Sequence, residues 1–135
     1  MAETTLEPVP SPHVPIVWPS IADLVGAACE RSYGKFTADL LFNEISGDRM
    51  QLWLAWDGGP QAVCITRTLD VNGVKILDFV IVTGVARETW QHFKHQIEDW
   101  ARSIGCTRSQ AMMRPGWSKI FPDFKITHFF GERAL

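Results

Sequence analysis

Residues 74–105, VKILDFVIVTGVARETWQHFKHQIEDWARSIG, carry the reading that decides the fold. Val74, Ile76, Leu77, Phe79, Val80, Ile81 and Val82 form an almost unbroken apolar, largely β-branched run, the pattern of a strand covered on both faces. From Trp90 the period changes. Trp90, Phe93, Ile97, Trp100, Ala101 and Ile104 recur at helical spacing and define one apolar stripe, so a long amphipathic helix is predicted from about Glu88 or Thr89 to Gly105. The intervening Thr83-Gly84-Val85-Ala86-Arg87 is a strand-to-helix junction. Such a junction exposes backbone N–H groups at a helix N-terminus, where a phosphate or pyrophosphate is favoured.

Outward from this unit, Gln51–Trp56 and Ala62–Leu69 flank Asp57-Gly58-Gly59-Pro60 and predict an antiparallel hairpin. Asn72-Gly73 predicts a second hairpin into the Val74 strand. Because the long helix must return the chain to a strand near Arg108, ending at Met112 and Met113, the expected sheet is mixed. Upstream, Ile21, Leu24, Val25, Ala28 and Cys29 share a helical face beginning at Pro19 or Ser20. Thr37 is placed to cap a second helix, with Leu40, Leu41 and Ile45 inward and Gly47 at its end. Downstream, a short helix is expected near Gly116-Trp117, stopping before Pro122, and a closing strand over Phe124–Phe130. Five of the eight prolines fall at positions 8, 10, 12, 15 and 19. Residues 1–15 are therefore expected to form an extended arm, suited to an edge strand or a docking segment, and residues 16–135 a single domain.

A chain of 135 residues, 46% hydrophobic and 21% charged, supports one core and not two. Its net charge of −2 and pI near 6.0 leave no basic field, which argues against direct nucleic-acid binding. The acidic, non-apolar N-terminus is not read as a signal peptide, and the absence of an 18-residue apolar run excludes a spanning helix, so no membrane partner is expected. Cys29, Cys64 and Cys106 have no metal or redox spacing and read as buried reduced thiols.

The strand, the Gly84-x-Ala86 junction and the long helix resemble the GNAT (GCN5-related N-acetyltransferase) superfamily. Its loop reads Q/R-x-x-G-x-G/A, and here Ile81 stands where Gln or Arg is expected. The resemblance implies an α+β fold, a mixed, mostly antiparallel central sheet flanked by about four helices. It makes Gly84 and Ala86 the candidate cofactor-binding residues. Trp18-Pro19, Gln51-Leu52-Trp53-Leu54-Ala55-Trp56-Asp57-Gly58-Gly59, Trp100-Ala101-Arg102 with Gly105-Cys106, and Arg114-Pro115-Gly116-Trp117 are similar to small GNAT-like proteins of tailed bacteriophages and prophages.

The residues for chemistry are few. Asp78 is the one carboxylate within the Val74 strand, a catalytic candidate if the protein is an enzyme and otherwise a paired structural carboxylate. The tyrosine that many family members use to protonate the departing thiolate is missing from the Trp117 helix, where Ser118 stands, and the chain's sole tyrosine is Tyr33. His92 and His95 share a helix side but lack a third ligand, so no metal is expected; His128 reads as a strand histidine. Trp53 and Trp56 have opposite parity on one strand, so one must face away from the first one's cover; both, with Arg114, are candidates for interaction. Two functions follow. The favoured one is a non-catalytic phage structural or assembly factor without cofactor, acting through other phage structural proteins or self-association, in the host cytoplasm during assembly, with the virion as a second location. The alternative is an acyl-CoA-dependent N-acetyltransferase using acetyl-CoA with a minimal pyrophosphate loop.

Overall fold

The computed structural model describes residues 5–32, 34–84, 87–113, 117, 119, 121–127 and 131–135. Five strands form one sheet in sequence order: β1 Glu7–Val9, β2 Gln51–Trp56, β3 Pro60–Val71, β4 Val74–Gly84 and β5 Arg108–Ala111. All neighbours are antiparallel except β4 and β5, which are parallel. Helix α1 spans Val14–Glu30, α2 Ala38–Ser46 and α3 Arg87–Ser103. The fold is thus mixed α+β around a mostly antiparallel sheet, as expected, with three α-helices among the described residues instead of about four.

Alternation along the strands distributes the core over two faces. Trp53, Ala55, Ala62, Cys64, Leu77 and Phe79 pack beneath Trp90, Phe93, Ile97 and Ala101 of α3. Leu52, Leu54, Val63, Ile65 and Ile81 pack beneath Ile21, Val25, Leu41 and Ile45 of α1 and α2. The β4 run is largely apolar, Lys75, Asp78 and Thr83 apart, because both faces are covered. Asn72 and Gly73 both take positive φ, 52° and 82°, as a tight β3–β4 turn requires.

Several expectations are corrected. Helix α1 begins at Val14, ahead of Pro15 and of the Pro19 or Ser20 start that the local pattern predicts. Pro15 sits in the first turn, where a missing N–H costs no internal bond, and Val14 is fully buried, which anchors the early start. The arm is extended only over Glu7–Val9, where it pairs with β2 as an edge strand; Ser11–His13 is a 3-10 turn. Thr37 caps α2 as predicted, its hydroxyl accepting from the Leu40 N–H at 3.1 Å, but Leu40 itself is exposed while Leu41 and Ile45 are inward.

Near Trp117 the described residues show a helical bond, Phe121 N–H donating to the Trp117 carbonyl at 2.9 Å, and no further α-helix. Phe124–Thr127 forms no strand, and residues 128–130, including His128, lie outside the described residues. Phe121 and Phe124 fold back in a turn closed by a 3.1 Å backbone bond and place their rings on Phe79, so the segment packs against the sheet face instead of extending along its edge.

Candidate active site

The parallel partner of β4 stops early. β5 pairs only with Ile76–Phe79, the last pair being Phe79 with Ala111, whereas β4 continues to Gly84. The β3–β4 register shifts at the same place: Thr66 opposes Phe79 and Ile65 opposes Ile81, leaving Val80 as an extra residue. A bulge bends its strand and ends regular pairing. Here it lies one residue past the final β4–β5 pair, so the two strands part at a vertex formed by Phe79, Val80 and Ala111. Beyond it, among the described residues, no strand pairs with the free edge of Val80–Gly84.

The free edge ends at Gly84, three residues before α3 begins at Arg87. Gly84 has φ +115°, and a Cβ there would lie 2.3 Å from the Gln61 carbonyl oxygen and 2.7 Å from Ala62 Cα. Its glycine identity is therefore required by the close approach of β3. Ala86, the other candidate of the junction, lies outside the described residues. An open strand edge offers alternating N–H and C=O groups to an extended amide-bearing ligand, and the following helix, of 17 residues, presents the end that favours an anion.

Asp78 opposes Arg67 on β3 and Gln110 on β5, one pair before the vertex. Arg67 Nε donates to Asp78 Oδ2 at 2.7 Å and Gln110 Nε2 to Oδ1 at 3.3 Å. Both oxygens of this buried carboxylate thus have a hydrogen-bond donor. The three side chains lie on the face away from α3, with the Arg67 guanidinium 6.0 Å from the centre of the Phe36 ring in the α1–α2 connection. Tyr33 and Ser118 fall outside the described residues.

Of the interaction candidates, Trp53 is buried. Its ring meets Trp100 of α3 edge-on at 5.2 Å, and its indole N–H donates to Thr66 Oγ1 at 3.0 Å, so it is a core residue. Trp56, of opposite parity, is 51% exposed. Arg114 lies outside the described residues. His95 lies 3.8 Å from Glu98, and no group of metal-ligating side chains occurs among the described residues. No helix there is long and apolar enough to cross a membrane. Burial pushes the Cys29 and Cys64 thiols up, which keeps them protonated and unreactive.

Sequence reading missed Arg67, whose partner lies across a hairpin. It also missed two buried charges on α3. Lys94, 1% exposed, pairs with Asp123 and lies against the rings of Phe121 and Phe124, while buried Glu98 accepts from Ser109 Oγ at 2.6 Å. The signal was present: Lys94 stands between Phe93 and Ile97 at positions four residues from Trp90 and from Glu98, on the side of the helix that the apolar stripe marks as inward.

Comparison with solved structures places this architecture. A GCN5-related N-acetyltransferase from Ralstonia eutropha superposes with a TM-score of 0.70 at 10% identity, covering 98% of this chain and 99% of its own. A probable acetyltransferase gives 0.69 at 12% identity over 96% and 95% of the two chains. Glucosamine-6-phosphate N-acetyltransferase from Arabidopsis thaliana gives 0.66 at 11% identity over 98% and 99%. The fold is GNAT-like. No protein-family model matches the chain, and no curated protein does. The expectation of a non-catalytic phage assembly factor is corrected by these neighbours: they are named as acetyltransferases, and nothing in them points to a phage.

Proposed function

We propose that the protein is an acyl-CoA-dependent N-acyltransferase, with acetyl-CoA as the donor. The observation that carries this reading is the fork at Phe79, Val80 and Ala111, whose free β4 edge runs directly to the start of α3. The two amides of a pantetheine arm match the donor and acceptor spacing of an open strand edge, and a pyrophosphate suits the end of α3. The residues present fit such a donor. Val80–Gly84 would hold the arm, and the backbone at the start of α3 the pyrophosphate, in place of a glycine-rich loop with a paired arginine. The reaction moves the acyl carbon from sulfur to an amine nitrogen: the C–S bond breaks, the C–N bond forms, and the proton lost by the amine ends on the released thiol. The donor brings the activated thioester. The chain contributes alignment of the two reactants at the vertex, an entropic contribution that needs no strongly basic side chain.

Calorimetric titration with acetyl-CoA is expected to give one site of micromolar affinity, and free thiol is expected to accumulate when primary amines are added. Absence of heat at millimolar acetyl-CoA, together with absence of thiol release across an amine panel, would overturn the reading.

A further inference from the structure

The cluster at the vertex contains more donor capacity than its internal pairing uses. Asp78 is held by one N–H of Arg67, through Nε, and by Gln110. The terminal nitrogens of Arg67 donate to no other described residue, and its side chain is 36% exposed. A guanidinium bonded through Nε alone keeps four N–H groups in a planar fork, the geometry that receives two oxygens of a carboxylate or phosphate. Asp78 fixes the Nε edge of that plane at 2.7 Å, and the Phe36 ring centre lies 6.0 Å from the guanidinium carbon. The arginine is therefore held in place with its outer face open, one residue pair short of the point where the strands part, on the face opposite α3.

We propose that Arg67 is the specificity-determining residue for the amine acceptor, and that the acceptor carries an oxyanion, phosphate or carboxylate, a few bonds from its amine. Asp78 and Gln110 are positioning residues: they orient the guanidinium and do not touch the acceptor. The oxyanion pairs with the terminal nitrogens of Arg67 on the α1–α2 face, and the amine extends from it toward the vertex. A neutral amine of the same length lacks that charge-assisted pair. This inference rests on the acyltransferase reading for the direction of the amine, while the anion preference itself does not require turnover.

The test uses 2-aminoethyl phosphate, β-alanine and ethanolamine as acceptors of matched reach, titrated calorimetrically into the full-length protein and then assayed with acetyl-CoA. One or both anionic amines are expected to bind at least tenfold more tightly than ethanolamine, which ranks phosphate against carboxylate. Arg67→Gln is expected to abolish that preference while ethanolamine binding stays the same. Because this change leaves Asp78 buried beside a neutral partner, the double variant Arg67→Gln with Asp78→Asn removes both charges; its thermal melt is expected near that of the wild type, again without anion preference. Arg67→Lys keeps the ion pair and loses the planar fork, and should retain only part of the preference. Equal binding of all three amines by the wild type, or an undiminished preference in the folded double variant, overturns the inference. Acetyl-CoA titration of the same samples separates the two ideas. Anion preference without acetyl-CoA binding sinks the acyltransferase reading alone, and acetyl-CoA binding without anion preference sinks this one alone.

Discussion

Gly84 is where backbone chemistry constrains the candidate site most tightly. Its φ of +115° and the 2.3 Å separation between a built Cβ and the Gln61 carbonyl oxygen oppose every other residue. Gly84→Ala is expected to destabilise the fold by more than about 1 kcal/mol, read as a lower urea midpoint with unchanged slope. A bulky or charged replacement there is consequently a poor probe of ligand binding, since it strains the β3–β4 ladder first. The contrast with Asp78 is instructive. Sequence offered two roles for a carboxylate inside an apolar strand, and Arg67 and Gln110, brought alongside from neighbouring strands, supply the partners that its burial requires.

At the scale of elements, α3 is joined to the C-terminal segment by a charge buried among aromatic rings. Lys94 pairs with Asp123, whose side chain is 58% exposed, and lies 5.8 Å and 5.3 Å from the centres of the Phe121 and Phe124 rings. Water solvates the acid end of this pair and not the basic end. The two partners are therefore unequal. Asp123→Asn leaves an ammonium buried without its counter-charge and is expected to lower the melting temperature, whereas Lys94→Met substitutes an apolar side chain of similar length and is expected to melt at or above the wild type. Parallel thermal melts decide the point; equal losses in both variants would show that the ion pair itself, and not relief of the buried charge, stabilises the packing of this segment.

For the molecule as a whole, the same pair gives a pH dependence of known sign. The hydrogen bond from Lys94 holds the Asp123 carboxyl below the ordinary aspartate range. A carboxyl depressed in the folded state stabilises the protein above its unfolded range, and that contribution disappears as pH falls through the depressed folded value. Stability measured by urea titration is expected to decline below about pH 4, and to decline less in Lys94→Met; exposure of the carboxylate keeps the difference small. Much of the architecture was legible beforehand. Period-two and period-3.6 apolar patterns gave β2, β3, β4, α2 and α3, and Asp57-Gly58-Gly59 and Asn72-Gly73 gave both hairpins, because these are short-range effects of side-chain direction and positive φ. The early start of α1 was hidden, since burial of Val14 against distant strands outweighs the local signal of two prolines. The fate of Phe121 and Phe124 was hidden for the same reason: alternation allows a strand, and only the contacts with Phe79 and Lys94, distant in the chain, favour folding back. What the sequence determined by itself was β2, β3, β4, α2 and α3, and the strand-to-helix junction at Gly84. What tertiary structure alone decided was the bulge at Val80, the parting of β4 from β5 and the union of Arg67, Asp78 and Gln110, because register and cross-strand pairing depend on residues far apart in the chain.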